Sequence, residues 1–80
     1  MLTKYIEVAM AHATYEMLPD KTFYGEIPDL AGVYANADTL DSCRGQLQEV
    51  LEGWILLGLR MNHTLPVVDG ISLDVGAEVA

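Results

Sequence analysis

One cysteine among 80 residues excludes an internal disulfide and any zinc site built on cysteines alone. Only four Lys and Arg stand against twelve Asp and Glu, a formal net charge of −8. So few cations argue against phosphate backbones, whose affinity depends on cationic side chains releasing counterions. They equally disfavour anionic membrane surfaces and suit a basic protein partner. No apolar run reaches the roughly 18 residues that span a bilayer. Met1-Leu2-Thr3-Lys4-Tyr5 lacks the charged start and apolar core of a signal peptide. Gly25 and Gly32 lack the following Lys-Ser or Lys-Thr of a phosphate cradle. There is no internal repeat and no interdomain linker. What is present is apolar: 51% of the chain, too much for disorder despite the charge. A domain this short buries only about 60–65% of its unfolded surface. It must therefore pack efficiently or share apolar surface with another chain. These features predict one acidic, cytoplasmic domain over residues 1–80.

Leu2, Tyr5, Ile6, Ala9 and Met10 recur at helical spacing and predict a helix within residues 1–12. Residues 13–37 read as three strands in an antiparallel meander. Ala13, Tyr15 and Met17 alternate with Thr14, Glu16 and Leu18. Phe23, Gly25 and Ile27 alternate with Tyr24 and Glu26, and Val33, Ala35 and Ala37 with Tyr34 and Asn36. Pro19-Asp20-Lys21 and Pro28-Asp29-Leu30-Ala31-Gly32 are the turns. A left-handed Lys21 would cost about 1 kcal/mol.

The strongest pattern spans 39–62. Thr39 or Asp38 can cap a helix that carries Asp41 in its first turn. Leu40, Cys43, Leu47, Val50, Leu51, Trp54, Leu57, Gly58 and Met61 then step by threes and fours over roughly 33 Å. Trp54 to Leu59 is apolar on every side, and a sheet can cover only one. The N-terminal helix or another subunit must cover the rest, and Trp54, Ile55, Leu56 and Leu59 are the expected seam of a homo-oligomer, a dimer or tetramer. Ile71, Leu73 and Val75 alternate with Ser72 and Asp74, which predicts a final strand over 71–75. The expected fold is α+β in the order α-β-β-β-α-β, with a small antiparallel sheet and the helices on one face.

The run Phe23-Tyr24-Gly25-Glu26-Ile27-Pro28-Asp29-Leu30-Ala31-Gly32 resembles the signature of HicB-like antitoxins. Phe23, Pro28, Asp29, Leu30 and Gly32 fall on the family's positions, and Ala31 replaces its usual second proline. Ala35-Asn36-Ala37-Asp38-Thr39-Leu40 and Leu51-Glu52-Gly53-Trp54 continue the likeness. The resemblance implies a partial RNase H-like fold and the antitoxin half of a toxin–antitoxin pair. It also implies a partner, a small basic RNA-cleaving HicA-like toxin whose active site the antitoxin masks. Members usually add a C-terminal DNA-binding module. The sequence stops at Ala80 without one, so direct DNA binding is not expected.

RNase H chemistry would need carboxylates converging on Mg²⁺. Glu16, Glu26, Asp20 and Asp29 are the candidates. The plainer reading, a solvated acidic sheet face and ordinary turn residues, is preferred, so no catalytic residue, metal or cofactor is expected. His12 and His63 lack ligand spacing and an acidic neighbour in sequence. Cys43 reads as a small core residue. One surface favours a function. The outward sheet positions Glu16, Tyr24, Glu26, Tyr34 and Asn36 combine tyrosines with carboxylates, and Asp29 is the expected extension of their rim. Tyrosine brings large contact area at low entropy cost, and carboxylates steer a cationic partner. These six are the expected partner-binding residues. The competing readings are an acidic oligomeric scaffold without a toxin and a degenerate metal-dependent hydrolase.

Overall fold

A computed structural model describes residues 2–71. Its elements, in chain order, are helix α1 (Leu2–Ala11), strands β1 (Thr14–Met17), β2 (Phe23–Glu26) and β3 (Tyr34–Ala37), and helix α2 (Leu40–Arg60). The fold is α+β. The three strands form one antiparallel sheet in the order β1-β2-β3. The final strand expected over 71–75 lies, apart from Ile71, outside the described residues. Ile71 exchanges two backbone hydrogen bonds with Val68, at 2.8 and 3.1 Å, across a tight turn. Asp69 and Gly70 both take positive φ there, 50° and 76°, as a type I′ turn requires. The stretch 65–70 is thus a connection ending in a hairpin turn.

Local chemistry explains each connection. Between β1 and β2, the Asp20 carboxylate accepts from Thr22 Oγ1 at 2.6 Å and from the Thr22 amide at 3.0 Å. Those bonds hold the Asp20 carboxyl below its ordinary range, the hydroxyl contributing most. Lys21 takes φ 69°, the strained corner expected of a turn with no glycine at that position. Between β2 and β3 the chain closes by Ile27 N–H to Val33 O at 3.1 Å. Gly32 supplies φ 95°, which an L side chain adopts with strain. Leu30, inside that turn, is buried in the core.

Helix α2 begins where Thr39 Oγ1 accepts the Ser42 amide at 3.0 Å. It ends in a Schellman arrangement, with Asn62 N–H bonded to Leu59 O and His63 N–H to Gly58 O. Asn62 takes the left-handed conformation this ending needs, φ 57°. Leu65 then folds back over Gly58, where an added Cβ would stand 2.6 Å from Leu65 Cδ2.

Helix α2 packs on β3 and β2, and α1 packs against α2. Small residues bring helix and sheet together: Gly25, Ala35 and Ala37 face α2 and are buried. A Cβ on Gly25 would meet the Tyr15 ring at 2.8 Å and Cys43 Sγ at 3.1 Å. Tyr15, the cross-strand partner of Gly25, thus spreads over the bare backbone. Cys43 Sγ–H donates to Ala35 O at 3.6 Å, and burial pushes its thiol pKa up. Tyr5, from α1, is buried, and its hydroxyl donates to Pro66 O at 2.7 Å. Met17 is exposed, since it ends the outer strand, away from the β2–β3 area that α2 covers. No helix among the described residues is long and apolar enough to cross a membrane.

Candidate functional site

The sheet face opposite α2 carries two cross-strand rows. Thr14, Glu26 and Tyr34 form one; Glu16, Tyr24 and Asn36 form the other. Strand alternation alone puts these six side chains on one surface. Five of the six expected partner-binding residues therefore stand together.

The two rows are tied into a fixed pattern. The Tyr24 and Tyr34 rings stack with centroids 6.2 Å apart and planes inclined by 28°. Tyr24 Oη–H donates to Glu26 Oε1 at 3.0 Å. That bond is the main reason the Tyr24 pKa lies above its ordinary value, since the phenolate would face the carboxylate. Asn36 Nδ2–H donates to Thr22 Oγ1 at 3.0 Å and Phe23 O at 2.8 Å, which anchors its amide. Tyr34 is 58% exposed. Thr14, Tyr15, Glu16, Tyr24 and Glu26 line a shallow depression of about 180 Å³. No cationic side chain stands in either row. The face offers aromatic area, two carboxylates and hydroxyl groups, which suits a cationic, partly apolar counter-surface.

Asp29 departs from the expected rim. It lies beyond the end of β2 and its Oδ1 meets His12 Nδ1 at 3.2 Å. His12 Nε2 meets Asp69 Oδ2 at 2.9 Å. Sequence spacing carries no sign of this trio, because its members come from the end of α1 and two separate turns. The hydrogen bond to Asp69, then that to Asp29, raises the His12 pKa above its ordinary 6.5.

The four carboxylates weighed as metal ligands point to separate duties. Asp20 closes its turn, Asp29 pairs with His12, and Glu16 and Glu26 stand in different rows. Among the described residues no three His, Cys, Asp or Glu side chains are placed to hold a metal ion.

The expected oligomer seam is also redrawn. Ile55 is 2% exposed and belongs to the chain's own core, and Leu59 packs against that core. Trp54 is half-buried, while Leu56 is exposed. The sheet and the segment around Leu65 cover the Ile55 side of α2 and leave another side bare.

Residues 4–66 match the model of a family described as UPF0150-like. The crystal structure of TTHA0281 from Thermus thermophilus is similar throughout. It shares 44% sequence identity and a TM-score of 0.86, with 90% of each chain covered. No curated protein matches the chain.

Proposed function

The chain belongs to the UPF0150-like family, and on that premise we propose that it is an antitoxin-like module that binds and masks a small basic RNA-cleaving toxin. The observation that carries this reading is the open sheet face with its stacked Tyr24–Tyr34 pair and the carboxylates of Glu16 and Glu26. The resemblance to HicB-like antitoxins supplies the class of partner. Its motif residues have structural duties, since Leu30 fills the core and Gly32 makes the turn. They position the neighbouring face.

Masking would work by two physical effects. The long-range field of a chain with net charge −8 speeds encounter with a cationic toxin, an effect that salt weakens. Contact then buries the tyrosine rings, already held in place, at little entropy cost. A surface that binds RNA phosphates presents the cations that two glutamates would pair. The toxin's active site would thus be blocked sterically, without any reaction on this chain.

The test is co-purification with a small basic RNA-cleaving protein from the native host, followed by calorimetry and an RNA-cleavage assay. The expected result is stoichiometric binding that stops cleavage and weakens with salt. Glu16→Lys with Glu26→Lys should reduce affinity by about a hundredfold or more, since like charges then oppose across the contact. Unchanged affinity and salt dependence in that variant would remove the sheet face. Recovery of this chain alone would favour a scaffold role.

A further inference from the structure

The depression of about 180 Å³ on the open sheet face lies over the pairing of β1 with β2. Thr14 and Glu26 stand opposite each other across that pairing, as do Glu16 and Tyr24. Positions so related are the corners of a quadrilateral whose diagonals span about 7–8 Å. The two carboxylates occupy one diagonal. The Tyr24 ring and the short Thr14 side chain occupy the other, and the small corner leaves the hollow open. Strand β2 lies between β1 and β3, so Tyr24 turns one face to Tyr34, its stacked neighbour, and the other to this hollow. Its hydroxyl donates to Glu26 Oε1, which fixes the ring against that carboxylate. The Tyr24 pKa is raised first by that bond and, among smaller causes, by the charge of Glu16, so both carboxylates act on this ring. The chain supplies no cation to them. Among the described residues Lys4 pairs with Glu7, and no ion pair reaches Glu16 or Glu26. Arg44 and Arg60 belong to α2, behind the sheet.

We propose that this hollow receives one arginine side chain of the partner, its guanidinium laid on the free face of Tyr24 and forked between Glu16 and Glu26. The inference rests on the masking role proposed above and names the partner group that the face takes. Arginine fits better than lysine for physical reasons. A planar guanidinium matches the flat ring beneath it and meets the negative face of the π-system. Its N–H donors leave the edge of the plane in different directions and so serve carboxylates at opposite corners, whereas an ammonium is a compact point charge. The guanidinium is also the more weakly hydrated cation, so it gives up little water to lie in an open hollow. Two carboxylates held on a diagonal present the oxygens that a phosphate would present to the same fork. An arginine that grips RNA phosphate in the free toxin is thereby taken up by this chain, which makes the masking electrostatic as well as steric.

The experiment titrates the full chain with N-acetyl-arginine amide at fixed ionic strength, following backbone amide and tyrosine ring signals by NMR. N-acetyl-lysine amide is the comparison. Saturable shifts centred on Thr14, Glu16, Tyr24 and Glu26 are expected, half complete on the order of 10 mM. The lysine probe should need at least about threefold more. Glu16→Gln and Tyr24→Leu should each raise the half-point by roughly three- to fivefold. Tyr24→Phe, which keeps the ring, should change it by less than about twofold. Unsaturated shifts spread over the chain up to about 100 mM would overturn the proposal. So would an equal response to the lysine probe, or Tyr24→Leu binding arginine as the unaltered chain does. Failure of this inference and failure of the masking role are separable. A toxin held as tightly by Tyr24→Leu as by the unaltered chain overturns the arginine contact and leaves masking in place. Saturable arginine binding with no toxin recovered supports the hollow as an arginine site and removes the masking role.

Discussion

His12 stands where three segments of chain meet, with a carboxylate at each ring nitrogen. The protonated ring donates to Asp69 and Asp29 at once, whereas a neutral ring has one N–H and turns a lone pair toward the other carboxylate. Folding therefore raises the pKa, and the stabilisation carries a sign. It is fully present below the ordinary imidazole value of 6.5 and is lost as pH rises through the higher folded value. The expected outcome is a melting temperature that falls over that window, with His12→Gln flattening this part of the profile. Thermal scans across neutral pH, with a titration of the His12 ring signals by NMR, check both halves. This trio is invisible in the sequence because neither histidine has an acidic neighbour nearby. Only folding brings the two turns to the end of α1. Lys21 is the contrasting case. Its positive φ is legible from a Pro-Asp turn lacking glycine, since backbone sterics act within four residues.

At the scale of elements, Thr39 fixes where α2 begins by accepting the Ser42 amide. Thr39→Ala should cost about 1 kcal/mol, measured as a shift in the denaturant midpoint with the slope unchanged. The meander and both helices are legible because a half-buried strand alternates and a half-buried helix repeats by threes and fours. The period also places Glu16, Tyr24, Glu26, Tyr34 and Asn36 on one face. It cannot decide which flank of α2 enters the core. The sequence offers both Val50 and Leu51, both Trp54 and Ile55, both Leu57 and Gly58. The choice falls to Leu51, Ile55 and Gly58 because Gly25, Ala35 and Ala37 let that flank approach the sheet and Leu65 closes over its end. Local pattern carries no record of such tertiary fit, and for that reason Ile55 enters the core instead of the expected seam.

At the scale of the whole molecule, α2 lies on one side of the sheet and the tyrosine face on the other. Between those surfaces lies the layer where Tyr15, Gly25 and Cys43 close on one another. Cys43 is fully buried, and it is the chain's single thiol. A reagent can reach its sulfur only after helix and sheet separate. The rate of alkylation under native conditions should therefore follow the opening equilibrium of the entire core, slowing as denaturant is withdrawn in step with global stability. Labelling much faster than global unfolding allows would show that α2 lifts from the sheet by itself. The chain thus carries its own clock for how often it comes apart, set where Cys43 of the helix meets Gly25 of the sheet.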